Sequence, residues 1–242
     1  MNRIITIVSL LLLSLSPLHS SIAEPVLFRA VYKADYKGLP VSAVGIRELK
    51  LAENGEYILS SSAKSFLATV TEQSHFRLDG RKLIPIEYQY KRTGVGKSRR
   101  TLLKFDWAAD KVSDEDEGWE LDITSGILDK LLYQLKMRED LIQAALKSEH
   151  WPDMSYEIAD SGRLKSYEFK VTDEEELDTP VGKINTVKVI RVRKNEDRST
   201  TFWLAPDYEF MLIRLQQIEK NGKGFELHLE QAQFDGEQIK GS

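Results

Sequence analysis

From Leu27 onward, apolar side chains recur at every second position. That is the period of a strand with one face on a core and the other in water. Phe28, Ala30, Tyr32, Ala34 and Tyr36 alternate with Arg29, Val31, Lys33 and Asp35. Gly38 and Pro40 predict a turn, and Val41 to Leu51 a second strand. Asn54-Gly55 predicts a two-residue type I′ hairpin, which needs positive φ at both positions, with Tyr57 to Ala63 pairing back. Val70 to Leu78, Leu83 to Arg92 and Arg99 to Trp107 extend the series, separated by Asp79-Gly80 and Gly94-Val95-Gly96. The acidic run Ser113 to Gly118 reads as a solvated hairpin tip. Turn signals about ten residues apart are what an antiparallel meander produces.

The period changes from about 126 to 147. Ile127, Leu128, Leu131, Leu132, Leu135, Leu141, Ile142, Ala145 and Leu146 fall at helical spacing, opposite Lys130, Gln134, Lys136, Glu139, Asp140 and Gln143. Thr124 or Ser125 is the expected cap and Trp151-Pro152 the stop. Strands resume at Ser155–Ala159, Leu164–Thr172, Ile184–Lys194, Ser199–Leu204, Phe210–Lys220 and Phe225–Phe234, with Asn221-Gly222 as a second hairpin turn. In Val187 to Arg193 the pattern leaves the inner face undecided. The expected fold is mainly β: one large curved antiparallel sheet, an open barrel or half-barrel, with one long amphipathic helix covering it. Nothing resembles a linker, so residues 24–242 are expected to form a single β-rich domain. Tyr32, Tyr36, Phe66, Tyr88, Tyr90, Phe105 and Trp107 are expected to be mostly core. A concave face left incompletely filled by the helix would be an apolar pocket.

The first 23 residues follow a different rule. Arg3 precedes an apolar run from Ile4 to Leu15, Pro17 ends it, and Ser21-Ile22-Ala23 offers small residues to a signal peptidase. The run is shorter than the ~20 residues of a membrane-spanning helix, and no second long apolar run follows. The expected product is periplasmic, cut after Ala23. It would keep 33 basic against 38 acidic residues, a net charge of −5, which argues against nucleic-acid binding. Without cysteine there are neither disulfides nor thiolate sites, and stability rests on the core.

Against that acidic balance, Lys91, Arg92, Lys97, Arg99, Arg100 and Lys104 put six cations into fourteen residues of one hairpin. Cations facing each other across paired strands repel unless an anion or acidic partner lies between them. The hairpin is therefore either a solvated tip that blunts a sheet edge or an anion-binding patch for lipid headgroups or glycan phosphates. Gly94-Val95-Gly96-Lys97-Ser98 resembles the end of a phosphate-binding loop, but Lys91 stands where its first glycine belongs and strands flank it. His75, His150 and His228 lack metal-ligand spacing, and no nucleophile motif occurs. No cofactor and no catalytic residue are expected.

The order of Tyr32-Lys33-Ala34-Asp35-Tyr36, Leu83-Ile84-Pro85-Ile86-Glu87-Tyr88 and Lys104-Phe105-Asp106-Trp107 carries a resemblance. Leu128-Asp129-Lys130-Leu131, Gln134-Leu135, Thr179-Pro180-Val181-Gly182 and Phe202-Trp203-Leu204-Ala205 complete it. The chain resembles the proteobacterial exported family known as domain of unknown function 3108 over nearly all of its mature length. That resemblance implies a periplasmic β-rich fold with a strongly curved sheet, and it carries no catalytic residues over. The functional expectation is a non-enzymatic binding or scaffolding protein for cell-envelope components: a lipid, lipopeptide or glycan on the concave face, or an envelope protein along an edge. The alternative is a hydrolase of cell-wall or glycan substrates, using two carboxylates that the fold brings within ~10 Å.

Overall fold

The computed structural model describes residues 24–37, 42–148, 150–193 and 197–242. The leader (1–23), its cleavage point and the Gly38–Val41 turn lie outside the described residues. The first half comprises β1 (Phe28–Lys37), β2 (Ser42–Leu51), β3 (Tyr57–Lys64), β4 (Ala68–Asp79), β5 (Lys82–Gly94), β6 (Arg99–Asp106), β7 (Lys111–Asp114) and β8 (Trp119–Asp122). Helix α1 (Leu132–Lys147) follows. The second half comprises β9 (Met154–Ala159), β10 (Leu164–Thr179), β11 (Gly182–Val192), β12 (Arg198–Ala205), β13 (Met211–Glu219), β14 (Gly224–Phe234) and β15 (Glu237–Gln238). All ladders between these strands are antiparallel. They form one sheet, ordered β8 to β1 and then β14 down to β9, in which β1 pairs with β14 to join the two meanders.

The mainly β, antiparallel, open-barrel expectation holds, with local differences. Neither Asn-Gly turn is type I′. Only the glycines take positive φ, 80° at Gly55 and 77° at Gly222. Asn54 Oδ1 accepts from the Glu56 N–H at 3.2 Å and Asn221 Oδ1 from the Lys223 N–H at 3.0 Å. Each side chain thereby holds a three-residue loop with glycine in the left-handed position. Strands β7 and β8 emerge on either side of the acidic tip, and β10 runs on to Thr179 through the acidic stretch Asp173 to Glu176, which pairs with β11.

The helix begins six residues later than its apolar spacing predicts. Residues 126–131 instead run along the open edge of the sheet: the Leu128 N–H donates to Glu157 O and the Ala159 N–H to Leu128 O, both at 2.9 Å. Asp129, rather than Thr124 or Ser125, caps the helix, its Oδ1 accepting from the N–H groups of Leu131 and Leu132 at 2.8 Å each. Strands β8 and β9 are the two ends of the sheet and are not paired with each other. This segment leads on from β8 and bonds to β9, and Trp119 of β8 lies against Gly162 beyond β9. The barrel is closed by a strap rather than by a ladder.

Directly opposed residues share a face of an antiparallel sheet, so the register fixes the lumen. On the α1 side Leu49, Leu59, Phe76, Tyr88, Leu103, Phe169 and Phe202 are buried with Leu131, Leu132 and Leu141 of the helix segment. Of the aromatics expected in the core, Tyr36 is half exposed and Phe66, on the β3–β4 turn, is 84% exposed. Both lie beyond the reach of the helix.

Candidate functional site

The register sets the basic hairpin's cations directly against each other, Lys91 opposite Arg100 and Arg92 opposite Arg99. Strand alternation then divides them. Lys91, Arg100 and Lys104 lie on the outer face; Arg92 and Arg99 fall on the inner face with Tyr90 and Thr101. The outer cations meet the acidic β7–β8 turn: Arg100 Nε is 3.2 Å from Asp116 and Lys104 Nζ 3.0 Å from Glu115. At the rim Arg99 lies 3.9 Å from Glu117 and donates to Ser161 Oγ at 3.4 Å across the seam. Arg92 donates to Lys97 O and Val95 O, at 2.6 and 3.1 Å, and so braces its own turn. Lys91 and Lys97 are exposed. Two features that looked separate in sequence, the basic hairpin and the acidic tip, are thus neighbours that offset one another. Exposed pairs of this kind contribute about 0.2–1 kcal/mol. The double variant Arg100→Gln/Lys104→Gln should therefore lose less than about 2 kcal/mol in urea unfolding; a larger loss would show these pairs to be structural.

Inside the barrel, the half under α1 is filled. Phe28, Tyr32, Leu59, Phe202 and Leu212 meet Leu135, Met137 and Arg138 around a cavity of about 20 Å³, space for one water. Arg47 is buried there and donates to Gln134 Oε1 at 2.7 Å. Arg138 donates to Glu209 O at 2.9 Å and stacks on Phe28, and burial pulls its pKa down to about 10. The filled half leaves no room for an acyl chain.

The other half of the lumen is only partly buried. Ala34, Ala43, Ala63, Val70, Glu72, Tyr90, Thr101 and Leu227 share the inner face by register, yet none is fully buried. Its distinctive chemistry is on β11. Val187, Val189 and Arg191 keep one phase, and Arg193 continues it. Arg191 sits 3.3 Å over the Tyr167 ring, and Tyr167 packs edge-on against Tyr133 of α1 at 5.6 Å. The Nε atoms of Arg191 and Arg193 and the hydroxyl of buried Thr200 are enclosed without a hydrogen-bond partner. Thr200 continues β12 one residue past the Ile190–Thr201 pair, on the flank of Arg191. Burial, then repulsion from Arg191 and Arg198, lowers the Arg193 pKa. The strand pattern held the clue, because two arginines extend a valine phase, but the change of burial along β11 is set by how far α1 reaches.

Two inner carboxylates lie nearby in the fold. Glu72 accepts from Tyr88 Oη at 2.8 Å, and burial, followed by that carboxylate, pushes the phenol pKa up. Asp129 is wholly buried, and Ser74 Oγ donates to its Oδ2 at 2.5 Å. Burial outweighs these hydrogen bonds and pushes its pKa up to about 6. With both oxygens engaged and no exposure, Asp129 is a structural acid. Lys130, expected on the solvated face of the helix, instead pairs with Asp160 at 3.5 Å. Asp160 also accepts from Lys165 and Ser161. His75 and His228 pair with Glu56 and Glu226 at 2.6 and 3.1 Å. Among the described residues no helix is long and apolar enough to cross a membrane.

Fold and site together define a β-barrel-like protein whose sheet stays open and whose lumen is half plugged by a helix. The chain belongs to the family described as "Protein of unknown function (DUF3108)", whose model matches residues 31–230. Its fold is similar to that of a beta-barrel-like protein of domain of unknown function DUF1849 from Brucella abortus. That similarity has 11% identity and a TM-score of 0.55, covering 86% of this chain and 98% of the other. A "putative lipoprotein" from Parabacteroides distasonis is a more distant match, at 10% identity and a TM-score of 0.31, covering 86% of this chain and 96% of that one. No protein with a curated description matches the chain.

Proposed function

We propose that the protein is a non-catalytic binding protein of the cell envelope, exported to the periplasm after cleavage behind Ala23. In this reading it holds a lipid, lipopeptide or glycan fragment in the open half of its lumen. The observation that carries the reading is the division of the lumen, with one half packed solid beneath α1 and the other left half-exposed on its inner face. A purely structural barrel gains nothing by leaving alanines, a valine and arginines around a partly buried hollow, whereas concave, partly apolar hollows with a few polar groups are where small ligands bind. The basic hairpin joins the site through Arg92 and Arg99 at the rim, while Lys91, Lys97 and Arg100 face solvent or the acidic turn. A carboxylate-dependent hydrolase needs two acids open to substrate. Glu72 is partly buried, but Asp129 is sealed in the core, which favours binding over hydrolysis. Native mass spectrometry of protein purified from its own periplasm tests the reading. The expected spectrum is a chain starting at Glu24 with an added lipid- or glycan-sized mass; a ligand-free chain under gentle desolvation would contradict it.

A further inference from the structure

We infer that Arg191, Arg193 and Thr200 form a subsite for the phosphate group of the ligand in the open lumen. This rests on the binding reading above and specifies it. Arg191 on β11, Arg193 just past its end and Thr200 on β12 are neighbours that offer hydrogen-bond donors, and their enclosed Nε–H and hydroxyl groups have no acceptor among the described residues. A buried donor left unpaired costs free energy, so such groups normally have partners. Here three gather in one place.

Charge points the same way. Arg191 and Arg193 stand two residues apart on one face of a strand, where like charges repel, and neither forms an ion pair among the described residues. Arg47, on the same inner face, is buried with an amide for a partner instead of a carboxylate. This contrasts with the outer face, where Arg100, Lys104 and Lys111 each meet an acid, and with Arg198, which shares the Thr200 phase but pairs with Glu219. A chain with more acids than bases has thus left Arg191 and Arg193 without an acidic partner among the described residues. Arginine's planar fork presents paired N–H donors that match phosphate oxygens, and the Thr200 hydroxyl adds a donor for a further oxygen. Stacking on Tyr167 fixes the Arg191 plane, so little side-chain entropy is lost on binding. Val189, Phe202 and Leu215 of the same face are buried core, and the partly buried Val171 leaves apolar surface beside the cations. That pairing suits a phosphate joined to a hydrocarbon.

The test is isothermal titration of the mature chain with inorganic phosphate, dodecyl phosphate, dodecanoate and dodecyl maltoside, each below its micelle concentration. Wild type should bind dodecyl phosphate saturably, and Arg191→Gln and Arg193→Gln should each weaken binding by at least about tenfold. Thr200→Val, nearly isosteric, should weaken it less while keeping the fold. Arg100→Gln, on the outer face, should bind like wild type. Binding of inorganic phosphate with the same arginine dependence would identify the bare anion as sufficient; its absence alongside tight dodecyl phosphate binding would identify a lipid-type headgroup. Both outcomes support the subsite. Equal affinity for dodecanoate, binding of dodecyl maltoside at the same strength, or unchanged affinity in both glutamine variants would overturn it. The last two outcomes leave the lumen a binding site without a phosphate subsite, whereas no binding of any probe would remove the broader reading as well.

Discussion

Leu131→Ala should lower stability by about 2–5 kcal/mol, the range for truncating a buried leucine, and reduce Tm by about 10 °C in a domain of this size. Leu131 is 1% exposed and ends the strap that bonds to β9. Its loss opens a cavity where helix, strap and sheet meet. Leu146, in the last turn of α1, is 75% exposed although its sequence spacing places it with the apolar stripe. Leu146→Ala should change stability by less than about 0.5 kcal/mol. Thermal melts of the two variants compare a leucine that holds the plug in place with one on its exposed face. Equal effects would show that α1 is not anchored through the strap.

Asp129 gives the second large effect, one that reverses between two substitutions. Asp129→Ala leaves Ser74 Oγ and the N–H groups of Leu131 and Leu132 without their acceptor in a dry site, a loss of about 2–4 kcal/mol. Asp129→Asn keeps an acceptor for both N–H groups and removes a charge that the core disfavours. With the folded pKa raised to about 6 from 3.8, the folded state retains a proton that the unfolded state has lost between these values. The group's stabilising contribution is fully present below pH 3.8 and is lost as pH rises through 6. Two pKa units correspond to about 3 kcal/mol. Denaturant unfolding of wild type and Asp129→Asn from pH 4 to 7 should therefore show the variant gaining relative to wild type as pH rises. Asp35, Asp160 and Glu226 work in the opposite direction. Their carboxyls are held low, Glu226 at about 2, so their contribution is lost as pH falls. The difference between the two proteins cancels that background. A difference that does not vary with pH would mean Asp129 titrates normally.

Much of the sheet is legible because strand alternation is a local signal, plainest in the first half, where β1 and β2 keep their period; β11 to β13 do not alternate strictly. What the sequence hid depends on distant partners. Leu128-Asp129-Lys130-Leu131 looks like the first turn of a helix by spacing. It becomes a strap because β9 takes the Leu128 backbone, Asp129 caps the following turn and Lys130 reaches Asp160. Strands β7 and β8 span four residues each, too few for a period to emerge. The basic hairpin was visible as a run of charge, but its acidic counterpart across the β6–β7 ladder was not, nor was its division by alternation into an outer paired set and an inner pair. Arg191 and Arg193 stay hidden in the sequence because polar residues in a valine phase obscure which face is inner. Only the length of α1, which covers Phe169 and stops short of Arg191, decides that this stretch of wall is only partly buried.

In the proposed function the open half of the lumen, rather than the outer sheet face, receives the ligand. The cysteine-free sequence allows a direct measurement. Val70→Cys places a thiol on the inner face, opposite Ala63 and Arg92. Val44→Cys places one on the outer face, at a position 56% exposed. The rate of maleimide labelling is then measured with and without saturating dodecyl phosphate. Val70→Cys should be labelled about tenfold more slowly in the loaded protein, as nine-tenths occupancy requires, while Val44→Cys keeps its rate. Unprotected Val70→Cys, or equal slowing at both positions, would contradict binding in the lumen.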